Sequence, residues 1–468
     1  MTNPPADSIP PPRVPHPASF RDPAGFVFTI DDVIYRQVNR SYAELYEQLM
    51  KSGLYAKLTH DSFLIPHTEA PDSPIQSPNP DRQSHYKTLL PRKLSRLSYP
   101  GEWCPAQLRD AALLTLKIQR LAMEYNMTMK DATPFNIQFD NGSPIFIDTL
   151  SFDLYDPAKP WIAYRQFCEC FLFPLYLHRY TQTGTGKIST AWPDGIPVPT
   201  TARLLPLKSR WNAGVWLHVF LQNHVGSRQP AASEQNLRFS KAKLSNLIEH
   251  LQSIVTRLNP AGNNRSAWSN YYDETILGKA YLEEKERLFR QYLDDIEFAD
   301  ALDLGCNDGW FSKILTKTGA PVIAVDSDCQ CIDKLYRDRN PNILPLCVDL
   351  TNPTPATGFQ NTERASFTDR APSDLVTALA LVHHLALHNN IPLSLIADYL
   401  SQLAKKYLII EFIPLSDPKA TELIARKQSP TIDYDAGHFE SAFGRDFRIQ
   451  RKDQVPGTER LLYLLKKI

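Results

Sequence analysis

Asp303, Gly305, Asn307, Gly309 and Asp326 are the residues whose types and spacing most directly imply chemistry. They fall in FADALDLGCNDGWFSKILTKTGAPVIAVDSD, from Phe298 to Asp328. An apolar run from Ala301 to Leu304 ends in a Gly-Cys-Asn-Asp-Gly turn, and Trp310, Phe311, Ile314 and Leu315 then recur at helical spacing. The two glycines let the backbone pass a ligand with no Cβ in the way, and the helix that opens there offers N–H groups to anionic or polar atoms. Asp326 closes a second apolar run about twenty residues beyond Gly305, placed to accept from two ribose hydroxyls. The set describes a nucleoside-binding turn; the plainer alternative is a structural strand-to-helix turn that binds nothing.

A dinucleotide site fits less well, because G-x-G-x-x-G would need glycines at 305, 307 and 310, where the chain has Gly, Asn and Trp. The positions instead resemble motif I of the class I S-adenosylmethionine methyltransferases, Asp/Glu-x-Gly-x-Gly-x-Gly, with Asn307 at the middle glycine. Asn also enters positive φ, so the departure is tolerable. The resemblance implies S-adenosyl-L-methionine as cofactor, bound through Asp303, Gly305, Asn307, Gly309 and Asp326, with Asp349 near the adenine amino group. It also offers Trp268, Tyr271 and above all Tyr272 as contacts to the adenosine or methionine part; packing between domains is the competing role.

Methyl transfer from a sulfonium asks the protein to align an acceptor and, for a hydroxyl, to take a proton. Histidine has the right unperturbed pKa, and His383 and His384 follow the fourth strand, where such enzymes reach their acceptor. The alternative is that one ring packs beside the cofactor and the other bonds a loop carbonyl. Glu411 is the third candidate, orienting an amine or hydroxyl or else fixing the loop before Pro414.

The elements that must position these groups read as a doubly wound sheet. Strands are expected at Ala301–Leu304, Val322–Val325, Ile343–Val348, Asp374–Ala380 and Tyr407–Glu411, with a helix over Pro392–Lys405. Phe447–Gln450 and Leu461–Leu465 supply a closing antiparallel pair, giving a seven-stranded Rossmann-like methyltransferase sheet over residues 298–468. Residues 260–297 read as a linker and a lid helix, Tyr281–Leu293.

A second constellation lies upstream. Asn136–Phe139 and Pro144–Ile147 flank an Asp-Asn-Gly turn, a strong hairpin signal, with Asp131 before it and Asp148 at its end. Asp131, Asn136 and Asp148 resemble the catalytic base, asparagine and metal-binding acid of protein-kinase-like and aminoglycoside-phosphotransferase-like folds. Met129 replaces the usual His, Thr149 follows the last acid, and no Gly-rich phosphate loop precedes them. Residues 21–259 are therefore read as an α+β kinase-like or substrate-recognition domain, with active phosphotransfer, a reused recognition fold and a chance hairpin all open. The aromatic run Pro160–Tyr180 reads as its core, Leu108–Glu124 as a buried-face helix, and Ile65–Tyr86 as an irregular excursion.

Lys+Arg and Asp+Glu both total 51, which gives no electrostatic reason to expect a nucleic-acid or membrane partner. The seven cysteines are scattered and read as small buried hydrophobes in a reducing, cytoplasmic setting. Cys168-x-Cys170 and Cys329-x-Cys331 lack zinc spacing, so no metal is expected. Residues 1–20 are too polar and proline-rich for a signal peptide and read as a flexible arm, and no apolar run is long enough to span a bilayer. The segment Lys130–Phe139, Lys-Asp-Ala-x-x-x-Asn-Ile-Gln-Phe, makes the whole chain resemble bacterial methyltransferases of the nodulation NoeA-related type. That resemblance implies methyl transfer to an O or N atom of a small metabolite or saccharide. The alternatives are a bifunctional methyltransferase and Mg-ATP-dependent kinase, or a methyltransferase fold joined to a non-catalytic partner-binding module.

Overall fold

The computed structural model describes residues 15–70, 85–226, 240–258, 278–425 and 433–468. Most of the expected arm, and Trp268, Tyr271 and Tyr272, lie outside the described residues.

The N-terminal part opens with β1 (Gly25–Ile30), β2 (Val33–Asn39), β3 (His67–Glu69) and β4 (His85–Pro91), which pair antiparallel in the order β1-β2-β4-β3. The stretch expected to be irregular thus supplies β3 and the start of β4. Next come the Pro105–Glu124 helix, β5 (Met127–Met129), the hairpin β6 (Ile137–Asp140) and β7 (Ser143–Phe146), and β8 (Phe152–Leu154), which pairs with β5. Asn141 and Gly142 both take positive φ, as the Asp-Asn-Gly turn requires. The Pro160–Tyr180 aromatics are core, as expected: Phe167, Phe171, Phe173 and Tyr176 are fully buried.

The C-terminal part is the seven-stranded sheet. Its strands are β9 (Ala301–Leu304), β10 (Val322–Asp326), β11 (Ile343–Cys347), β12 (Ser373–Ala378), β13 (Ala404–Phe412), β14 (Phe447–Gln454) and β15 (Leu461–Lys467). They lie in the order β11-β10-β9-β12-β13-β15-β14, the first five parallel and β15 antiparallel to both neighbours. β9 and β12 are buried along their whole length, as parallel strands covered on both faces should be. The chain crosses from β9 to β10 on one side and reaches β12 on the other, so a crevice opens at the carboxyl end of β9.

One buried apolar cluster runs from Leu49 through Trp103 and Phe171 to Leu465, so the two parts share a core. The seam follows β11, the edge of the sheet. Pro345 in β11 has no N–H to give, and its carbonyl accepts from Gln107 Nε2 at 3.1 Å. The N–H of Ala106 donates to Asp333 at 2.9 Å, and the Phe139 and Tyr336 rings meet edge to face at 5.5 Å. Arg96 pairs with Asp300 at 2.5 Å, Arg21 with Glu363 at 2.7 Å, and Arg370 with the fully buried Glu102.

Candidate active site

β9 delivers the Gly-rich turn to the carboxyl end of the sheet. Gly305, Asn307 and Gly309 all lie in the left-handed region, at φ 71°, 52° and 82°. The conformation is tied down from β10: the N–H groups of Gly305 and Cys306 donate to the Val325 carbonyl at 2.8 and 3.0 Å. A Cβ on Gly309 would sit 2.5 Å from Leu335 Cδ1, so glycine is required there for space as well as for φ.

Asp326 closes the turn from the neighbouring strand. One carboxylate oxygen accepts from the Asn307 N–H at 2.9 Å and the other from the Asp328 N–H at 2.8 Å. Burial raises its pKa, with Asp328 and Asp303 adding to the effect and the two backbone N–H groups opposing it. Each carboxylate oxygen has more than one lone pair, so Asp326 can hold this turn and still accept from hydroxyls. Asp349, just past β11, is exposed and accepts from the N–H and hydroxyl of Thr351 at 2.9 and 2.7 Å.

Asp303 points into the fold. It is 2% exposed and accepts from Ser312 Oγ at 2.5 Å and Thr377 Oγ1 at 2.7 Å, bracing β9 to the following helix and to β12. Burial raises its pKa, with both hydroxyls opposing.

A buried polar cluster lies under the Gly278–Asp294 helix, which spans the segment expected to be a lid. That helix crosses the turn: Trp310 Nε1 donates to Glu286 at 3.0 Å, and Phe289 packs on Phe311 at 5.1 Å. Glu411 accepts from Lys285 Nζ at 2.5 Å, Tyr281 Oη at 2.8 Å and the Ala380 N–H at 2.8 Å. Arg460 donates to Tyr281 Oη at 2.8 Å and grips Asp417 with two bonds of 2.8 and 3.1 Å. Burial pushes the Glu411 pKa up, but the Lys285 and Arg460 cations outweigh it and hold the carboxyl below its ordinary range. Sequence reasoning placed only Glu411 here. Tyr281 and Lys285 carry a weak signal, the spacing of one helical turn, whereas Asp417 and Arg460 sit in loops with no pattern.

His383 and His384 follow β12 with rings 4.1 Å apart. His383 is 3% exposed and its Nδ1 has no hydrogen-bond partner. Burial drives its pKa well below the usual value, and the charges of Arg460 and Lys285 push the same way. Burial lowers His384 to about 4. Both rings are therefore neutral at physiological pH, and the same burial makes each a weaker proton acceptor than an exposed imidazole.

Of the upstream residues, Asp148 and Asn136 meet at Ser151, and Asp148 shares Arg36 with Asp22. Arg36 pairs with Asp22 at 2.7 Å and Asp148 at 2.8 Å. Asp148 also accepts from Ser151 Oγ and the Leu150 N–H, while Asn136 Nδ2 donates to Ser151 Oγ at 3.2 Å. Burial raises the Asp131 pKa, with Asp148 next. Among the described residues no group of His, Cys, Asp or Glu could hold a metal ion. These residues belong to a part of the chain whose buried core is continuous with that of the C-terminal sheet.

The sulfurs of Cys329 and Cys347 meet across the end of β10 and β11; Cys104, Cys168, Cys170, Cys306 and Cys331 are buried thiols.

No protein-family model matches the chain. Over 460 residues, 96% of this chain and 95% of the relative, it is 29% identical to nodulation protein NoeA of Rhizobium meliloti (strain 1021). It is similar to the solved N-methyltransferase NodS from Bradyrhizobium japonicum WM9, at 13% identity over 42% of this chain and 98% of that one, with a TM-score of 0.31. It is also similar to magnesium protoporphyrin IX methyltransferase ChlM from Synechocystis PCC 6803, at 15% identity over 44% and 90% of the two chains, with a TM-score of 0.31. The strand order itself, five parallel strands closed by an antiparallel one inserted before the last, is that of the Rossmann-like methyltransferase sheet.

Proposed function

We propose that the protein is an S-adenosyl-L-methionine-dependent methyltransferase acting on an O or N atom of a small metabolite or saccharide. The observation that carries this reading is the left-handed turn at Gly305, Asn307 and Gly309 with the Asp326 carboxylate set against it. The residues fit the cofactor: a left-handed backbone turn with no Cβ at Gly305 and Gly309, an acid with lone pairs left for ribose hydroxyls, and Asp349 at the neighbouring strand end. The cofactor supplies a methyl group on a sulfonium, a good leaving group.

The chain's own residues do the rest. Gly305, Asn307, Gly309 and Asp326 fix the nucleoside. The Gly278–Asp294 helix covers the crevice and excludes water, anchored from below by Glu411. Neutral His383 or His384 takes the acceptor's proton, and the unpartnered Nδ1 of His383 supports that role. Residues 21–259 act as a recognition and bracing module, with Asp131, Asn136 and Asp148 serving its internal structure. The small-molecule or saccharide acceptor rests on the NoeA-type resemblance, which extends along nearly the whole chain.

Titration calorimetry with S-adenosyl-L-homocysteine tests the reading directly, followed by an acceptor screen with labelled cofactor. Micromolar binding and label transfer are expected; no binding, or tight binding of NAD, would end it.

A further inference from the structure

The end of the N-terminal module built from residues 198–221 carries an apolar surface that nothing described so far explains. Leu207 is 73% exposed and Trp211 is 92% exposed, and Leu204, Trp216 and Leu217 are exposed beside them. Val198–Leu204 and Leu207–Trp211 each pack against the wide helical turn Trp216–Leu221, which brings the three elements to one end of the module. Leu205, Val215 and Val219 are buried beneath and make the display rigid. Asn212 accepts from the Val215 N–H at 3.1 Å, fixing the turn that projects Trp211. Large exposed apolar residues gathered in one place mark a surface that meets something less polar than water.

Charge identifies the occupant. The chain is neutral as a whole, yet the sequence contains no acid between Asp194 and Glu234, while Arg203, Lys208 and Arg210 are interleaved with the exposed leucines and tryptophans. All three cations are exposed, and the Arg210 guanidinium lies 4.8 Å from the centre of the Phe220 ring, at the patch. The overall balance of charge conceals this local excess. We propose that this face docks on an anionic lipid surface, with Trp211, Leu207 and their neighbours inserted at the headgroup level and Arg203, Lys208 and Arg210 paired with lipid phosphates. Among the described residues no helix is long and apolar enough to cross a membrane. A second copy of the chain is a poorer occupant, because a two-fold contact would bring these cations against their own copies. Nucleic acid is poorer too: Trp211 and Trp216 offer bases a ring to stack on, but Leu204, Leu207 and Leu217 are exposed around them and gain nothing from a polar, charged strand.

Co-sedimentation of the full chain with vesicles tests this, using phosphatidylcholine alone and phosphatidylcholine mixed with phosphatidylglycerol. Binding is expected to the mixed vesicles, weakening as salt rises, and to be at least about tenfold weaker to the neutral ones. The charge variant Arg203→Glu/Lys208→Glu/Arg210→Glu should bind about a hundredfold more weakly, roughly fivefold for each cation. Leu207→Ser/Trp211→Ser keeps the charge and touches only exposed side chains, and should lose about tenfold. The proposal is overturned by no binding to mixed vesicles, by equal binding to both kinds, or by binding that either variant leaves unchanged. A concentration-dependent dimer lost in Leu207→Ser/Trp211→Ser without vesicle binding, or oligonucleotide binding in place of vesicle binding, overturns it equally.

Discussion

The Asp326 carboxylate accepts the main-chain N–H of Asn307 at 2.9 Å, so the acid proposed to hold the ribose also fixes the turn proposed to cradle the rest of the cofactor. Asp326→Ala should weaken S-adenosyl-L-homocysteine binding by roughly 2–4 kcal/mol in calorimetry. Because the N–H groups of Asn307 and Asp328 also lose their acceptor, the melting temperature should fall as well. Asp326→Asn keeps one acceptor oxygen and should lose less on both measures. Wild-type affinity in Asp326→Ala would remove the acid from the cofactor site.

Gly309→Ala probes the turn without touching a carboxylate. Its φ of 82° is strained for alanine, and the new Cβ would meet Leu335 Cδ1 at 2.5 Å. A cost of roughly 1–3 kcal/mol in chemical denaturation is expected, together with weakened cofactor binding. Gly319→Ala, at φ 90° but with open space around it, should cost strain alone and leave affinity intact.

These two sites were legible in the sequence because strand, turn and following helix are contiguous, and each leaves a periodic trace. The five parallel strands and the closing pair were legible for the same reason. What escaped is non-local. Lys285, Glu411, Asp417 and Arg460 meet only once the Gly278–Asp294 helix lies across the sheet, and no local pattern announces that. Arg36 looks like one cation in a strand until the fold sets it between Asp22 and Asp148. β3 has only three residues, mostly exposed, and gives no alternation to read. Cys329 and Cys347 belong to different elements, and only the parallel register of β10 and β11, which aligns Asp326 with Cys347, brings them together.

The phosphotransfer resemblance yields a separable outcome. With Asp148 already engaged by Arg36, Ser151 and the Leu150 N–H, the wild type should show no magnesium-dependent ATP binding by calorimetry. Asp148→Ala should instead lower stability by about 1–3 kcal/mol, because Arg36 loses one of its two acids. Magnesium-dependent ATP binding abolished by Asp148→Ala would revive the kinase reading.

Buried histidines set one limb of the pH dependence. Burial holds His67, His218 and His384 at about 4, so in the folded state they stay neutral where the unfolded chain takes up protons near 6.5. The unfolded state binds more protons between those values, so stability should fall as the pH drops from about 6.5 towards 4. Denaturant midpoints measured across that range check the sign. By the same logic kcat/KM should show no break near 6.5 arising from His383 or His384; a break there would show that the base is another group or that the loop opens before reaction.

A second limb comes from Glu411, whose loss should reach both stability and catalysis. Its folded pKa lies below the ordinary glutamate value of 4.5, so the stability it contributes is fully present above about pH 4.5 and is lost as pH falls through the lower folded value. Glu411→Gln keeps the shape but leaves Lys285, 4% exposed, facing no anion at that distance, and breaking a buried pair in this way costs about 3–5 kcal/mol. Lys285→Met alone should cost less, because Glu411 keeps the Tyr281 hydroxyl, the Ala380 N–H and the Arg460 guanidinium 3.8 Å away. The double variant removes both charges and should recover most of the stability lost in Glu411→Gln, with a flatter acid limb below pH 4.5. Turnover need not recover with it. If the pair only cements the core, the double variant should methylate at the wild-type rate; if it holds the Gly278–Asp294 helix over the acceptor, turnover should stay low while cofactor affinity, carried by Asp326 and the turn, returns. The second pattern is expected, because Tyr281 and Lys285 are the points where that helix grips the end of β13.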